Sequence, residues 1–233
     1  MTPNVTSGSG EDGRGDRPRR PKPLPSSRSW TVERRDGGAG SLFSDSGPAA
    51  SRVVRVLSVD RPALVLGSTQ SASVVGDVEV VRRRSGGGAV LLRPGETVWV
   101  DVVVPADDPL WTADVGRSFW WLGDVWAAAV GGTVHRGPMA RTAWSAAVCF
   151  AGVGSGEVLS GGRKVVGMAS RRTREGALFQ CAVPLAWDPA AYVALLGLPA
   201  AALDDLAAVA APVTGRSADD IVEAFLEALP TTS

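Results

Sequence analysis

The chain has 233 residues, of which 45% are hydrophobic and 21% are charged, and this is enough to build one sizeable core. Its 24 basic and 24 acidic side chains cancel, which removes the general electrostatic argument for nucleic-acid binding. No apolar stretch reaches the roughly 18 residues of a membrane span. No apolar run follows the basic cluster near the N-terminus, so we expect no membrane association and a cytoplasmic protein.

Cysteine and histidine are scarce. Cys149 and Cys181 lie far apart without a CxxC spacing, which excludes a disulfide framework and fits a reduced compartment. The single histidine, His135, is too little for a histidine-rich metal site or for most Ser-His relays, and it is predicted to lie in a surface turn. No spacing of carboxylates indicates a metal pair, so we predict no metal site. Any chemistry must use lysine, arginine, carboxylates, backbone amides or a thiol.

Residues 1–28 are rich in proline, glycine, serine and arginine and almost lack large apolar side chains. Such a segment cannot offset the entropy cost of ordering, so we predict a disordered tail. The remaining residues, 29–233, are predicted to form one domain.

The middle of the chain is predicted as short, valine-rich strands separated by glycine or proline. In chain order they are 53–59, 63–66, 78–82, 89–92, 97–104, 144–150, 164–169 and 177–183. Helical spacing of apolar residues predicts a helix over 113–130, and further helices are predicted over 190–196, 200–209 and 217–229. This order predicts an α+β fold with a mixed or antiparallel central sheet and flanking helices.

The first segment that indicates chemistry is VRRRSGGGAV, residues 81–90. Arg82 and Arg83 supply fixed positive charge, Ser85 follows, and the glycines at 86–88 allow the backbone to approach a ligand closely. The segment is not a P-loop, because no GK[ST] follows. A flexible hairpin loop with solvated charges explains it equally well at this point.

The second such segment is GGRKVVGMASRRTR, residues 161–174. Lys164 follows a glycine-rich turn and opens an apolar strand, so we expect its ammonium in a solvated cleft, aimed at a carboxylate, an acyl carbonyl or a phosphate. Gly167, inside that strand, indicates close approach of backbone or ligand. An exposed turn lysine is the plain alternative.

Together and in this order, the two segments resemble the lipoate-protein ligase A family, within the biotin/lipoate ligase and lipoyl/octanoyl transferase superfamily. The family pattern R-R-x-S-G-G-G-A-V is similar to residues 82–90, and the pattern G-R-K-x-x-G-x-A is similar to residues 162–169. The stretch PALVLGSTQ, residues 62–70, is similar to the family's strand and Gly-x-x-Gln element. The resemblance covers most of residues 53–184.

The resemblance implies a biotin/lipoate ligase catalytic domain over 29–233, with no C-terminal accessory domain. It implies that lipoate or octanoate is activated with ATP and Mg as acyl-AMP and passed to a lysine of a lipoyl-domain carrier, with no cofactor held permanently. Lys164 would contact the activated acyl group. The substrate and adenylate would be bound by Arg82, Arg83, Ser85, Gly86, Gly87, Gly88, Ala89, Gly162, Gly167 and Ala169.

Two alternatives stay open. Cys149-Phe150 resembles the catalytic dipeptide of a cysteine-dependent octanoyltransferase subgroup, in which a thiolate takes octanoyl from acyl carrier protein as a thioester. Cys149 also fits the core end of an apolar strand, as does Cys181. The chain departs from the family pattern at Leu91-Leu92, Met168 and Cys181, which favours a third hypothesis, a non-catalytic acyl- or nucleotide-binding paralogue.

Overall fold

The computed structural model describes residue 1, residues 29–44 and residues 50–231. Apart from Met1, the predicted tail therefore lies outside the described residues. The strands are β1 (Thr31–Gly37), β2 (Val53–Val59), β3 (Ala63–Leu66), β4 (Glu79–Arg82), β5 (Val90–Leu92), β6 (Thr97–Pro105), β7 (Thr133–Val134), β8 (Val158–Ser160), β9 (Arg163–Arg172) and β10 (Gly176–Pro184). The helices are α1 (Ala39–Ser44), α2 (Trp120–Val130), α3 (Pro189–Leu195), α4 (Ala202–Val209) and α5 (Ala218–Glu227).

The main sheet has seven strands in the order β1-β2-β6-β10-β9-β8-β7. β1 pairs with β2 in parallel, and the other neighbours are antiparallel, so the sheet is mixed as predicted. Nearly every residue of β6 and all of β10 are buried, because these largely apolar strands lie in the middle of the sheet with both faces covered.

A second, three-stranded sheet has the order β4-β3-β5. Together with α1 it covers one face of the main sheet, where Phe43 packs edge-on against Trp99 with ring centroids 4.9 Å apart. Helices α2 and α5 cover the opposite face, where Trp126 packs on Phe225 at 4.2 Å. The candidate site residues of β9 and β10 therefore lie between these two layers.

The C-terminal helices begin as their sequences indicate. The Asp188 side chain accepts a hydrogen bond from the Ala191 N–H, and Pro189 occupies the first turn of α3. Ser217 and Asp220 form a capping box at the start of α5. The predicted fold class and most of the predicted strands and helices are thus confirmed.

The strand predicted over 144–150 is wrong. Residues 144–148 form hydrogen-bonded turns and Cys149–Ala151 is a short 3-10 helix, although the side chains of Val148 and Phe150 are buried. Only Val148 makes a β-bridge, to Ala89. An apolar run forms a strand only where a neighbouring strand can take its backbone hydrogen bonds, and here only one residue has such a neighbour.

The helix predicted over 113–130 is also too long. The Asp114 carboxylate accepts a hydrogen bond from the Arg117 N–H at 3.0 Å, and this caps a 3-10 turn, Arg117–Phe119, which leads into α2. Val115, counted in the helical pattern, is 59% exposed. The sequence reasoning also missed four short elements at the edges of the fold: β1, α1, β7 and β8.

None of the described helices has the length and apolar character that crossing a membrane requires.

Candidate active site

The glycine loop, residues 82–89, connects β4 to β5 and is organised by Arg83. This side chain is 2% exposed. Its guanidinium donates to Ser85 Oγ at 3.1 Å, to Val65 O at 3.2 Å, and to Gly86 O and Gly88 O at 2.6 and 2.9 Å. Burial lowers the pKa of Arg83, while the neighbouring Cys149 and Tyr192 act in the opposite direction. Arg83 therefore holds the loop in shape. The guanidinium N–H groups that the motif predicts as ligand contacts are used for hydrogen bonds within the chain.

Arg82 ties the glycine loop to the segment that follows β3. Its guanidinium donates to Gly67 O at 3.2 Å and to Gln70 O at 2.6 Å. The Gln70 side chain accepts from Gly67 N and donates to Ala147 O at 2.9 Å. The Gly-x-x-Gln element and the arginine motif thus form one hydrogen-bonded unit.

The three consecutive glycines differ in their surroundings. A Cβ atom on Gly88 would lie 2.6 Å from the carbonyl carbon of Val148, whereas one on Gly86 would meet nothing within 4 Å. Gly87 has a φ of +96°, a backbone conformation that residues other than glycine rarely adopt. The motif predicts a close backbone approach, and the backbone that Gly88 approaches is residues 148–149 of the same chain.

A buried polar network attaches the glycine loop to the main sheet. Gln180 Oε1, on β10, accepts from Ser85 N at 3.1 Å and from Ser85 Oγ at 2.8 Å. Gln180 Nε2 donates to Asp101 Oδ1 at 3.2 Å, and Trp99 Nε1 donates to the same oxygen at 2.8 Å. Sequence reasoning gave no role to Gln180 or Asp101, although a polar side chain within each of two apolar strands is a signal of a buried network.

Lys164 lies at the start of β9 and is 1% exposed, so the expected solvated cleft is wrong. Its ammonium donates to Cys149 O and Gly152 O, both at 2.8 Å, and lies 2.7 Å from Glu157 Oε2. All three ammonium protons therefore have partners within the chain. The tip also lies 5.1 Å from the centroid of the Phe150 ring. Arg163, by contrast, is exposed.

Glu157 is the buried carboxylate that pairs with Lys164, and the sequence patterns give it no role. Its Oε1 accepts from Met168 N at 2.8 Å, and its Oε2 accepts from Gly154 N at 2.6 Å besides pairing with Lys164. The turn at Gly161-Gly162 folds β8 back along β9, and this hairpin brings Glu157 to the middle of β9. Gly162, which has a φ of +78°, belongs to that turn.

Gly167, inside β9, leaves room for the Phe150 side chain of the same chain. A Cβ atom on Gly167 would lie 3.2 Å from Phe150 Cζ and 3.3 Å from Lys164 Cε. Ala169 pairs with Gln180 in the β9–β10 ladder. The residues of the two motifs thus lie together on the face of the main sheet that carries Phe150 and the glycine loop.

The two cysteines, both free thiols, differ in accessibility. Cys149 opens the 3-10 helix, is partly buried, and donates its N–H to Ala89 O at 3.0 Å. Cys181 is fully buried among the side chains between the sheet and helices α2 and α5, and burial raises the pKa of its thiol. The core position is confirmed for Cys181, while Cys149 does not end a strand. His135 lies in an exposed loop with Nε2 2.9 Å from Pro138 O.

Two openings flank the segment between residues 139 and 155. We call the first the 70–73 groove; its volume is about 310 Å³, and it is lined by residues 70–73, Ala146, Ala147, Leu196 and Leu198. We call the second the α2 cleft; its volume is about 600 Å³, and it lies between residues 114–120, the 136–139 loop, Gly154, Ser155 and Met168. No group of three or more metal-binding side chains occurs among the described residues.

Comparison with known proteins gives a consistent result. The family model of the lipoyl protein ligase A/B catalytic domain matches residues 41–215. The putative lipoate protein ligase Ta0514 from T. acidophilum, solved with bound lipoic acid, is 17% identical with a TM-score of 0.62, over 85% of this chain and 83% of that one. No curated protein sequence matches the chain.

Two further solved structures share the fold. A lipoate-protein ligase A bound with ATP is 17% identical over 86% of this chain and 83% of that one, with a TM-score of 0.63. A bi-partite lipoate protein ligase from Thermoplasma acidophilum, described with its E2 lipoyl domain, is 17% identical over 84% and 82% with a TM-score of 0.60. At this identity the structural likeness shows the fold, and the family model shows the family.

Proposed function

The chain belongs to the lipoyl protein ligase A/B catalytic-domain family, and from this premise we propose that it activates lipoate or a medium-chain fatty acid as acyl-AMP. The acyl group then passes to a lysine of a lipoyl-domain carrier. The solved structures of similar fold include one with lipoic acid, one with ATP and one described with an E2 lipoyl domain. We propose that this chain uses the same ligands and the same kind of acceptor.

The observation that supports this proposal is the position of the Lys164 ammonium. It donates hydrogen bonds to Cys149 O and Gly152 O, in the turn that packs on the glycine loop, and it also pairs with the Glu157 carboxylate. One buried positive charge is thus fixed where the two sequence motifs meet. Fixed charges of this kind stabilise an oxyanion that develops in a water-poor site.

Lys164 would act by electrostatic stabilisation. As the carrier amine attacks the acyl carbonyl, negative charge develops on the carbonyl oxygen. AMP then leaves with the electron pair of the broken C–O bond, and the nitrogen gives up one proton to water. The substrate oxygen would replace one of the two backbone carbonyls at Lys164, while Glu157 keeps the ammonium in place. The N–H groups of the glycine loop would contact the substrate beside it.

The 70–73 groove is suited to the acyl chain. Its lining is mixed: Ala72, Leu196 and Leu198 offer apolar surface to a hydrocarbon tail, and Gln70, Ser71 and Ser73 are polar. Gln70 and Ala147, in its wall, are hydrogen-bonded to each other and to the glycine-loop unit. The groove is therefore continuous with the residues that would hold the acyl head.

The test is a transfer assay with the full chain. Purified protein is incubated with octanoate or lipoate, ATP and a lipoyl-domain acceptor, and in parallel with octanoyl-acyl carrier protein without ATP, and the acceptor mass is measured. We expect the acceptor to gain one acyl group only when ATP and the free acid are present. Acylation from the carrier thioester alone would replace this proposal with a transferase, and no acylation in either reaction would favour a non-catalytic binding module.

The transferase is a second candidate because of one observation at Cys149. Unlike Cys181, this thiol is partly accessible, and the Cys149 N–H donates to Ala89 O at the end of the glycine loop. A Cys149 thiolate would attack the octanoyl thioester and expel the carrier thiol, forming an acyl-cysteine. The acceptor amine would then attack this thioester and expel the Cys149 thiolate.

Cys149→Ser separates the two functions. In the ligase, ATP-dependent transfer survives the substitution; in the transferase, transfer is abolished and the wild type carries a hydroxylamine-sensitive acyl group. Cys181→Ala serves as the control, since it removes the other thiol and leaves the 148–152 turn intact. A melting curve of each variant checks that the protein is folded.

A further inference from the structure

Gln180 is a polar residue in the middle of β10, a strand that is buried along its whole length. It pairs with Asp101 of β6 on one side and with Ala169 of β9 on the other. Its neighbours in β10, Phe179 and Cys181, pack in the core beneath α2 and α5. Successive residues of a strand point to opposite faces of the sheet, so Gln180 points to the face that carries the glycine loop.

The chemistry on both sides fixes the orientation of the Gln180 amide. The Ser85 N–H can only donate, so the amide atom at 3.1 Å from it is the oxygen, Oε1. The Asp101 carboxylate accepts, so the amide atom at 3.2 Å from its Oδ1 is the nitrogen, Nε2. A reversed amide would place two donors together at Ser85 and two acceptors together at Asp101.

Ser85 connects this fixed amide to Arg83. Ser85 Oγ donates its proton to Gln180 Oε1 at 2.8 Å and accepts from Arg83 Nε at 3.1 Å. Arg83 Nη2 in turn donates to Gly86 O and Gly88 O. Two carbonyls of the glycine loop therefore point inward, toward a guanidinium that Gln180 holds through Ser85.

These inward carbonyls determine where the N–H groups of the loop point. No described peptide bond is cis, so the carbonyl of one residue and the N–H of the next point in opposite directions. Gly88 O points to Arg83, and Ala89 N–H accordingly donates the other way, to Ala147 O at 2.8 Å. By the same geometry, the N–H of Gly87 points away from Arg83, because Gly86 O points toward it.

The N–H groups of Gly86 and Gly87 are the accessible donors of the loop. Neither has a hydrogen-bond acceptor within the part of the chain that the structure describes. Gly87 is exposed, Gly86 is half-buried, and a Cβ atom on Gly86 would meet nothing within 4 Å. Gly88, by contrast, is buried against the Val148 backbone. Two successive N–H groups that face open space can receive negative charge.

We propose that Gln180 is a positioning residue for the substrate. It holds Ser85, and through Ser85 it directs the two free N–H groups of the glycine loop toward the negatively charged head of the substrate. Asp101 contributes by fixing the Gln180 amide. The inference rests on the proposed function, and it adds two residues that neither sequence motif contains.

The test measures binding and turnover separately in the full chain. Binding is measured by calorimetry with a sulfamoyl analogue of octanoyl-AMP, which cannot transfer its acyl group. Turnover is the ATP-dependent transfer of octanoate to a lipoyl domain. We expect Gln180→Leu to weaken binding of the analogue at least about tenfold and to lower kcat/KM at least as much, because hydrogen bonds to a charged group are lost.

Phe179→Leu is the matched control. Phe179 is buried in the same strand but points to the opposite face, so this substitution lowers stability without touching the loop network. Urea unfolding of both variants checks that they are folded and compares their losses of stability. Phe179→Leu should bind the analogue and turn over like the wild type.

Ser85→Ala tests whether Gln180 acts through Ser85. This milder variant keeps the bond from Ser85 N–H to Gln180, and it should weaken binding of the analogue about threefold. The double variant Gln180→Leu/Ser85→Ala should bind about as tightly as Gln180→Leu alone, because residues that act in one network are not additive.

Three results would overturn the positioning role: no binding of the analogue to the wild type, equal binding and turnover in Gln180→Leu and Phe179→Leu, or fully multiplied effects in the double variant. If the wild type still transfers octanoate in those cases, the proposed function stands. If the analogue binds the wild type and binds at least tenfold more weakly to Gln180→Leu, but no acyl group reaches any acceptor, the positioning role stands and the proposed function fails.

Discussion

Two pairs of cations in this molecule have opposite surroundings. Lys164 and Arg83, from the two sequence motifs, are 1% and 2% exposed and donate hydrogen bonds to acceptors within the chain. Arg117 and Arg136, which belong to no recognised motif, have side chains that are 69% and 47% exposed, and they make solvent-exposed ion pairs and contacts with the Trp120 ring. The motif cations are built into the fold, whereas the others are accessible to solvent.

The difference shows that the cations of the two motifs are also structural parts of the fold. Arg83 satisfies loop carbonyls, and Lys164 joins the 149–152 turn to Glu157. Both groups fix the backbone of the glycine loop and of the 149–152 turn. We therefore expect substitutions at the motif cations to reduce the free energy of unfolding, and substitutions at the exposed arginines Arg117 and Arg136 to leave it nearly unchanged.

Lys164→Ala should show the largest effect. It leaves Glu157 as a buried carboxylate without its counter-ion, and removing one partner of a buried pair costs about 3–5 kcal/mol. Urea unfolding measures the loss, with the exposed neighbour Arg163→Ala as the control. The double variant Lys164→Ala/Glu157→Ala should recover part of the stability. Equal stability of Lys164→Ala and Arg163→Ala would show that the pair is not built into the fold.

Gly88→Ala should come next, because its Cβ atom would lie 2.6 Å from the Val148 carbonyl carbon. We expect a loss of about 3 kcal/mol, at the upper end of overpacking effects, and a displaced glycine loop. Gly86→Ala is the matched control, since nothing lies within 4 Å of its Cβ position. Similar unfolding free energies for the two variants would contradict the close contact between the loop and the 148–149 segment.

Gln180→Leu tests the attachment of the glycine loop to the sheet. It removes the acceptor of Ser85 N and Oγ and one donor to the buried Asp101. Unsatisfied buried polar groups cost about 1–3 kcal/mol, and we expect about 2 kcal/mol here. Gln180→Glu should be worse than Gln180→Leu, because it sets a second carboxylate beside Asp101. If both variants unfold like the wild type in urea, the network does not hold the loop.

Ala146→Phe tests an exposed groove, whereas the preceding variants test buried contacts. Ala146 is exposed in the 70–73 groove, so a larger side chain should fill the groove without a stability cost. We expect the KM for the acyl substrate to rise about tenfold while kcat changes little. Ala207→Phe, at an exposed position of α4, is the control. An unchanged KM would place the acyl chain elsewhere.

Asp188 gives the smallest effect and a pH dependence. The hydrogen bond from Ala191 N lowers the pKa of Asp188 below 3.8, with Arg93 contributing in the same direction. The charge of Asp188 contributes about 0.5 kcal/mol to the stability of α3. This contribution is present above the unfolded-state pKa and is lost as pH falls through the lower folded-state pKa. Asp188→Asn keeps the cap without the charge. The stability difference between wild type and this variant should shrink below pH 3.8 and stay constant above about pH 5.

Much of the fold could be predicted because the signals are local. Short valine-rich runs bounded by glycine or proline define most strands, and Asp188-Pro189 and Ser217 with Asp220 mark two helix starts. The segment 144–150 has the same apolar composition, but strand formation depends on a neighbouring strand, which the sequence does not show. The disordered tail and the extent of a single domain over 29–233 stay predictions.

The sequence by itself determined the family, the fold class and the residue types of the two motifs, because these depend on short patterns of glycine, arginine and lysine. Only the tertiary structure decided what those residues contact. Glu157 meets Lys164 through a hairpin, Gln180 meets Ser85 across 95 residues of chain, and Arg136 meets Trp120 at the start of α2. The hydrogen-bond partners and the burial of a side chain arise when distant segments pack together. They therefore decide which charged groups are satisfied within the chain and which stay open to solvent.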